Sequence, residues 1–156
     1  VSQARPASSA RGEGLRIAIV VSRFNEPITE ALARSARETL LGAGVDQADL
    51  EIHHVPGAWE LPLAVEWILR RGDVDGVVAL GCVVRGETPH FEFVATGATT
   101  GLEAVSRTHG IPVGFGLLTT DDGDQARARA GGAKGNKGEE AARAVLEMCR
   151  LAREIR

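Results

Sequence analysis

The chain has 156 residues, 44% of them hydrophobic and 25% charged, with a formal net charge of −3. That is enough chain to bury a real core in one domain, and the mild acidity gives no reason to expect a nucleic acid or an anionic membrane as partner. No apolar run approaches the roughly 20 residues of a membrane span, and the two cysteines and four histidines sit at no recognisable metal-ligand spacing, so no metal site is expected.

Residues 1–14, VSQARPASSARGEG, are small and polar and lack the apolar core of a signal peptide. They read as a flexible arm, or one that orders on a neighbour, preceding a single domain over 15–156. Cys82 and Cys149 read as core thiols, and the cytoplasm is the expected compartment.

Leu15–Val21 (LRIAIVV) reads as a buried strand and Ser22–Asn25 as the loop after it. A helix follows, with Asn25 as its cap, Pro27 in its first turn and Ile28, Leu32, Ala36 and Leu40 at helical spacing. Leu50–Val55 is a second strand, Pro56-Gly57 a turn, and Ala58–Arg71 a helix in which Pro62 is tolerated because it lies near the first turn. Gly76–Val84 is a third, nearly continuous apolar strand. His90–His109 is a helix closed by Gly110, and Ile111–Leu118 a fourth strand. Asp121 or Asp122 caps a short helix to about Ala130. Gly131–Gly138 (GGAKGNKG) is a loop, and Glu139 to about Arg153 a last amphipathic helix. Alternating strands and helices predict an α/β fold: a three-layer, flavodoxin-like sandwich with a four-stranded parallel sheet.

In such sheets ligands bind beyond the carboxyl ends of the strands, and the unusual residues of this chain fall there: SRFN, PGAWE, RGETPH and LTTDD. The third of these is the most informative. Its glycine turn leads into a helix whose first N–H groups favour an anion, and it is flanked by Arg85 and by His90, an imidazole able to exchange protons near neutrality. Phe24 either stacks on a flat heterocycle or packs on its own helix. Glu60 either accepts hydrogen bonds from a polyol or simply complements a helix dipole. Arg129 and Lys137 suit a phosphate or a carbonyl, but the stretch ARARAGGAKGNKG carries too many cations for spacing to choose among them. GGAKGNKG does not match a P-loop.

Taken together, SRFNEPIT, VPGAWELP, GCVVRGETPHFEFV, GLLTTDDGDQARARAG and GNKG, in register from about Leu15 to Leu151, resemble the lumazine synthase family of riboflavin biosynthesis. The resemblance implies condensation of 5-amino-6-(D-ribitylamino)uracil with 3,4-dihydroxy-2-butanone 4-phosphate. The products are 6,7-dimethyl-8-ribityllumazine, phosphate and water, and no metal or organic cofactor is needed. It implies that Phe24 stacks on the pyrimidine and that Ala58, Trp59 and Glu60 hold the ribityl chain. Val83 and Val84 would read the ring through their backbone. Glu87 and Thr88 would bind phosphate with Arg129, His90 would transfer the proton, and Lys137 would lie near the ring carbonyl. Phe115 would be lent by a neighbouring subunit. The resemblance further implies pentamers that close into an icosahedral shell, an N-terminal arm that adds a strand to a neighbour's sheet, and riboflavin synthase as a partner inside the shell. Two departures stand out. Relatives commonly read GTKAGNKG, so a frequent lysine position is Ala133 here and a lysine stands at Lys134, with no role assigned to either. Gly116 replaces a larger polar residue, so one ribityl contact is expected to be missing.

Overall fold

The computed structural model describes residues 11–156. Most of the expected arm therefore lies outside the described residues. Its last part, Arg11–Gly14, is held against the domain: the Gly12 N–H donates to the Ala43 carbonyl at 2.8 Å, and Arg150 reaches the Arg11 and Glu13 carbonyls at 2.6 and 3.0 Å.

Four parallel strands form the sheet: β1 (Ile17–Ser22), β2 (Leu50–Val55), β3 (Gly76–Val84) and β4 (Val113–Thr120), in the order β2-β1-β3-β4. The connecting helices are α1 (Glu26–Gly42), α2 (Leu61–Arg71), preceded by a single 3-10 turn at Ala58–Glu60, α3 (His90–His109), α4 (Gly123–Ala128) and α5 (Lys137–Ile155). This is the expected flavodoxin-like three-layer arrangement.

The central strands β1 and β3 are apolar on both faces because both are covered. Along β1, Ile17, Ile19 and Val21 enter the core shared with Leu32 and Leu40 of α1 and Val145 and Leu146 of α5. Ala18 and Val20 point the other way, into the core shared with Leu61 and Val65 of α2 and Leu102 of α3. Each fully buried aliphatic side chain contributes about 1.5–3 kcal/mol relative to exposure.

Several boundaries differ from the sequence expectation, each for a local reason. Strand β4 runs on to Thr120 because β3 offers a partner as far as Val84. Helix α5 starts at Lys137, two residues before the expected Glu139, because the Asn136 side chain caps it by accepting from the Gly138 and Glu139 N–H groups. GGAKGNKG is not a plain loop. It forms a small antiparallel hairpin, β5 (Ala130–Gly132) and β6 (Gly135–Asn136), pinned to the body through Lys134 N–H to Ala128 carbonyl at 2.8 Å and Lys137 N–H to Arg129 carbonyl at 2.9 Å. Asn25 occupies the N-cap position of α1 but makes no side-chain cap.

Candidate active site

The carboxyl ends of the four strands are tied together in sheet order by hydrogen bonds. At the end of β1 the Phe24 N–H donates to the Pro56 carbonyl beyond β2, at 3.1 Å. The Asn25 side-chain amide donates to the Cys82 carbonyl of β3, at 3.0 Å. The Arg85 N–H donates to the Thr120 carbonyl at the end of β4, at 2.8 Å. The crevice therefore lies at the point where the strand order reverses around β1 and β3, the usual place for a ligand in an open α/β sheet.

The two central strands are of unequal length, and this shapes the crevice. Pairing between β1 and β3 stops at Val21 opposite Leu80, whereas β3 continues beside β4 through Val83 and Val84. Past Leu80, β3 has no strand partner on its β1 side, and backbone groups there are available to something other than the sheet. Asn25 takes one of them. It adopts φ 64°, ψ 48° to do so, the only positive φ at a non-glycine among the described residues. Sequence reasoning read Asn25 as a helix cap and missed this bridge. The available signal was an Asn directly after the lone aromatic of the loop, since Asn tolerates the left-handed region better than most residues.

Phe24 stands out from this frame, 74% exposed. Packing under α1, the alternative left open by the sequence, is excluded by that exposure. Beyond β2, Ala58 is buried and Trp59 is 62% exposed. The six-membered ring of the Trp59 indole lies against α3 at Gly97, where a Cβ would come within 2.4 Å of it. Glu60 folds back so that Oε2 accepts from the Gly57 N–H at 3.0 Å. Its carboxylate thus closes its own turn.

After β3, Glu87, Thr88 and His90 are all exposed on the turn and first residue of α3. No side chain caps that helix, so its first N–H groups keep their anion-binding capacity. Arg85, which flanks the turn in sequence, is already engaged. It donates to Asp121 at 2.9 Å and to Glu92 at 3.3 Å and lies 4.7 Å from the centroid of the Phe91 ring. Its hydrogen bonds to Asp121 and Glu92 raise its pKa further. It braces the turn by linking the ends of β3, β4 and α3, and its charge is not spare for an anion.

The remaining expected residues gather elsewhere. A cavity of about 300 Å³ along the outer edge of β4 is lined by Phe115, Thr119, Arg129, Lys134, Lys137 and Glu140, among others. Phe24, Trp59, Glu60, Glu87, Thr88 and His90 are not part of its lining. The chain thus carries two groups of expected site residues: one at the strand-end crevice, one at the sheet edge. Arg129 is half-buried and steadied by donating to the Gln125 carbonyl at 2.9 Å. Gly116 is enforced by packing, because a Cβ there would meet the Leu80 side chain at 2.3 Å and the Ala79 carbonyl at 3.0 Å.

Residues 14–153 match the family model described as 6,7-dimethyl-8-ribityllumazine synthase. Similar curated proteins carry that same name. The one from Salinibacter ruber is 52% identical over 139 residues, 89% of each chain. The one from Gemmatimonas aurantiaca is 52% identical over 141 residues, 90% of this chain and 86% of the relative. A third, from Nitratidesulfovibrio vulgaris, is 47% identical over 143 residues, 92% of each.

Proposed function

The chain belongs to the 6,7-dimethyl-8-ribityllumazine synthase family, and we infer that it is the transferase-class enzyme that condenses 5-amino-6-(D-ribitylamino)uracil with 3,4-dihydroxy-2-butanone 4-phosphate, releasing phosphate and water. One observation carries this reading beyond family membership. The strand-end crevice combines an exposed aromatic, a carboxylate on a tight turn, an open strand edge and a histidine at an uncapped helix start. These are parts suited to a flat heterocycle bearing a polyol and to a phosphorylated partner.

The roles follow from those parts. Phe24 stacks on the pyrimidine. Ala58, Trp59 and Glu60 hold the ribityl chain, and the backbone at Val83 and Val84 reads the ring edge. Glu87 and Thr88 present N–H groups to the phosphate, and Arg129 pairs with its charge. His90 carries the proton as the amine adds to the ketone and water leaves. Lys137 lies near the ring carbonyl. Holding two substrates in register supplies much of the acceleration, because a bimolecular step becomes effectively intramolecular.

The same reading requires more than one copy. Arg129, Lys137 and Phe115 line the sheet-edge cavity, whereas the stacking and proton-transfer residues do not. Joining the edge of one chain to the crevice of the next brings all of them to one substrate pair. Exposed Leu63 and Trp67 on α2, with Trp59 in the turn before it, support such a contact, since apolar surface of this kind marks association sites. We take the assembly to be a pentamer and, beyond it, an icosahedral shell with riboflavin synthase as guest. The compartment is the cytoplasm, and among the described residues no helix is long and apolar enough to cross a membrane.

The test is turnover with both substrates. Formation of a fluorescent bicyclic product with one phosphate released per product is expected. Consumption of the lumazine instead would move the assignment to a riboflavin synthase. Sedimentation settles the assembly, a pentamer without larger species at neutral pH counting against the shell.

A further inference from the structure

Of the 18 Lys and Arg residues in this chain, only Lys134 and Lys137 are lysines. The chain meets its need for positive surface charge with arginine throughout, and both exceptions line the same cavity at the edge of β4, beside Arg129. Around that cavity three cations face a single carboxylate, Glu140. Such a rim favours an anion.

Lys134 is not there by loop freedom. It sits in the turn of the β5–β6 hairpin, with its backbone N–H bonded to the Ala128 carbonyl at 2.8 Å. Gly132 packs so closely on α4 that a Cβ would come within 2.8 Å of the Ala128 Cα. Gly131 and Gly135 supply the positive φ values, 104° and 83°, that let the hairpin reverse there. The hairpin thus holds the Lys134 backbone at the rim of the cavity that Arg129 also lines. The two cation types also differ in what they offer. Arg129, with one guanidinium nitrogen committed to the Gln125 carbonyl, is a steady fork. Lys134 is a compact charge on a flexible stem whose donors rotate, suited to an oxyanion that shifts as it changes from ester to free ion.

We propose that Lys134 is a specificity-determining contact for the phosphate group of the four-carbon substrate, sharing that anion with Arg129. This rests on the reading that Arg129 meets the phosphate. Lys134 is exposed, so its contribution is modest, as for other solvent-screened charge pairs.

Two measurements on the full chain test it. The first is titration of the resting protein with inorganic phosphate, which needs no turnover. Lys134→Ala should weaken phosphate binding about threefold, Lys134→Arg should keep it, and Lys134→Glu should weaken it further. The second is steady-state kinetics. In Lys134→Ala the KM for the phosphorylated substrate should rise by a similar factor, with kcat and the pyrimidine KM unchanged. Unaltered phosphate binding in Lys134→Ala overturns the proposal, as does a wild type that binds no phosphate, or a change confined to the pyrimidine KM. A wild type that binds phosphate but forms no lumazine would overturn the assigned reaction, and the titration would still judge Lys134.

Discussion

The Asn25 side chain donates to the Cys82 carbonyl at 3.0 Å, from a backbone held at φ 64°, ψ 48°. That bond joins the loop carrying Phe24 to the strand that leads to His90. A non-glycine in the left-handed region costs on the order of 1 kcal/mol. The surrounding contacts must offset this, and the two N–H bonds from Arg23 and Phe24 to the Val55 and Pro56 carbonyls at the end of β2 do so in part.

Asn25→Ala should therefore lose the bridge and raise the backbone cost, whereas Asn25→Gly loses the bridge and relieves the cost. We expect thermal unfolding to show Ala destabilised by roughly 1–2 kcal/mol and Gly by less. Both variants should bind the pyrimidine more weakly, because Phe24 is no longer set against β3. Equal stability of Ala and Gly would show that the left-handed backbone carries no strain.

His90→Ala should slow product formation under single-turnover conditions by about 10- to 100-fold, the lower part of the general acid–base range, because amine condensation has a spontaneous component. Pyrimidine binding should stay near the wild-type value. A full single-turnover rate would remove His90 from the proton transfer.

Arg129→Ala should raise the KM for the phosphorylated substrate on the order of 10-fold, the usual worth of a charge-assisted hydrogen bond. Mixing Arg129→Ala with His90→Ala chains gives a stronger test. If the site is built between copies, mixed assemblies regain some wild-type sites and part of the activity. Assemblies with no gain on mixing would place both residues in one chain's site.

Gly97→Ala should disturb the ribityl side of the crevice without harming its own helix, since Ala is the better helix former by about 1 kcal/mol. The added Cβ would meet Trp59 at 2.4 Å, so the indole must move. A shift in tryptophan emission together with a several-fold higher pyrimidine KM is expected. The KM for the phosphorylated substrate should not change.

The two thiols should be silent at ordinary pH. Burial pushes Cys82 up to about 11. Burial first, and the Asp75 charge second, push Cys149 up to about 12. An unfolded thiol ionises near 9.0, so above that pH the unfolded state releases protons that the native state keeps. The stability from the protonated native thiols is complete below pH 9 and falls by about 1.4 kcal/mol per pH unit for each thiol as the pH rises toward the native values. Cys82→Ala should flatten the alkaline limb of a stability-versus-pH curve. Rapid labelling of the native protein by a thiol reagent at pH 8 would contradict this burial.

Residue order alone determined a great deal here. The bounds of β2, β3 and α3 follow from apolar runs and a helical period closed by Gly, Pro and polar turns, signals that neighbours in the chain supply by themselves. The motif set points to its family for the same reason, because each motif is local and their order is linear. The tertiary structure decided what depends on contacts between distant segments. GGAKGNKG becomes a hairpin because Ala128 and Arg129 offer carbonyls to it. Arg85 becomes a brace because Asp121 and Glu92 lie within reach. Asn25 gives up its cap because β3 outruns β1 and leaves the Cys82 carbonyl open. The division of the site residues between a crevice and a sheet edge is of the same kind. Arg129 and His90 each carry a clear chemical signal in sequence, but only packing decides which of them share a cavity.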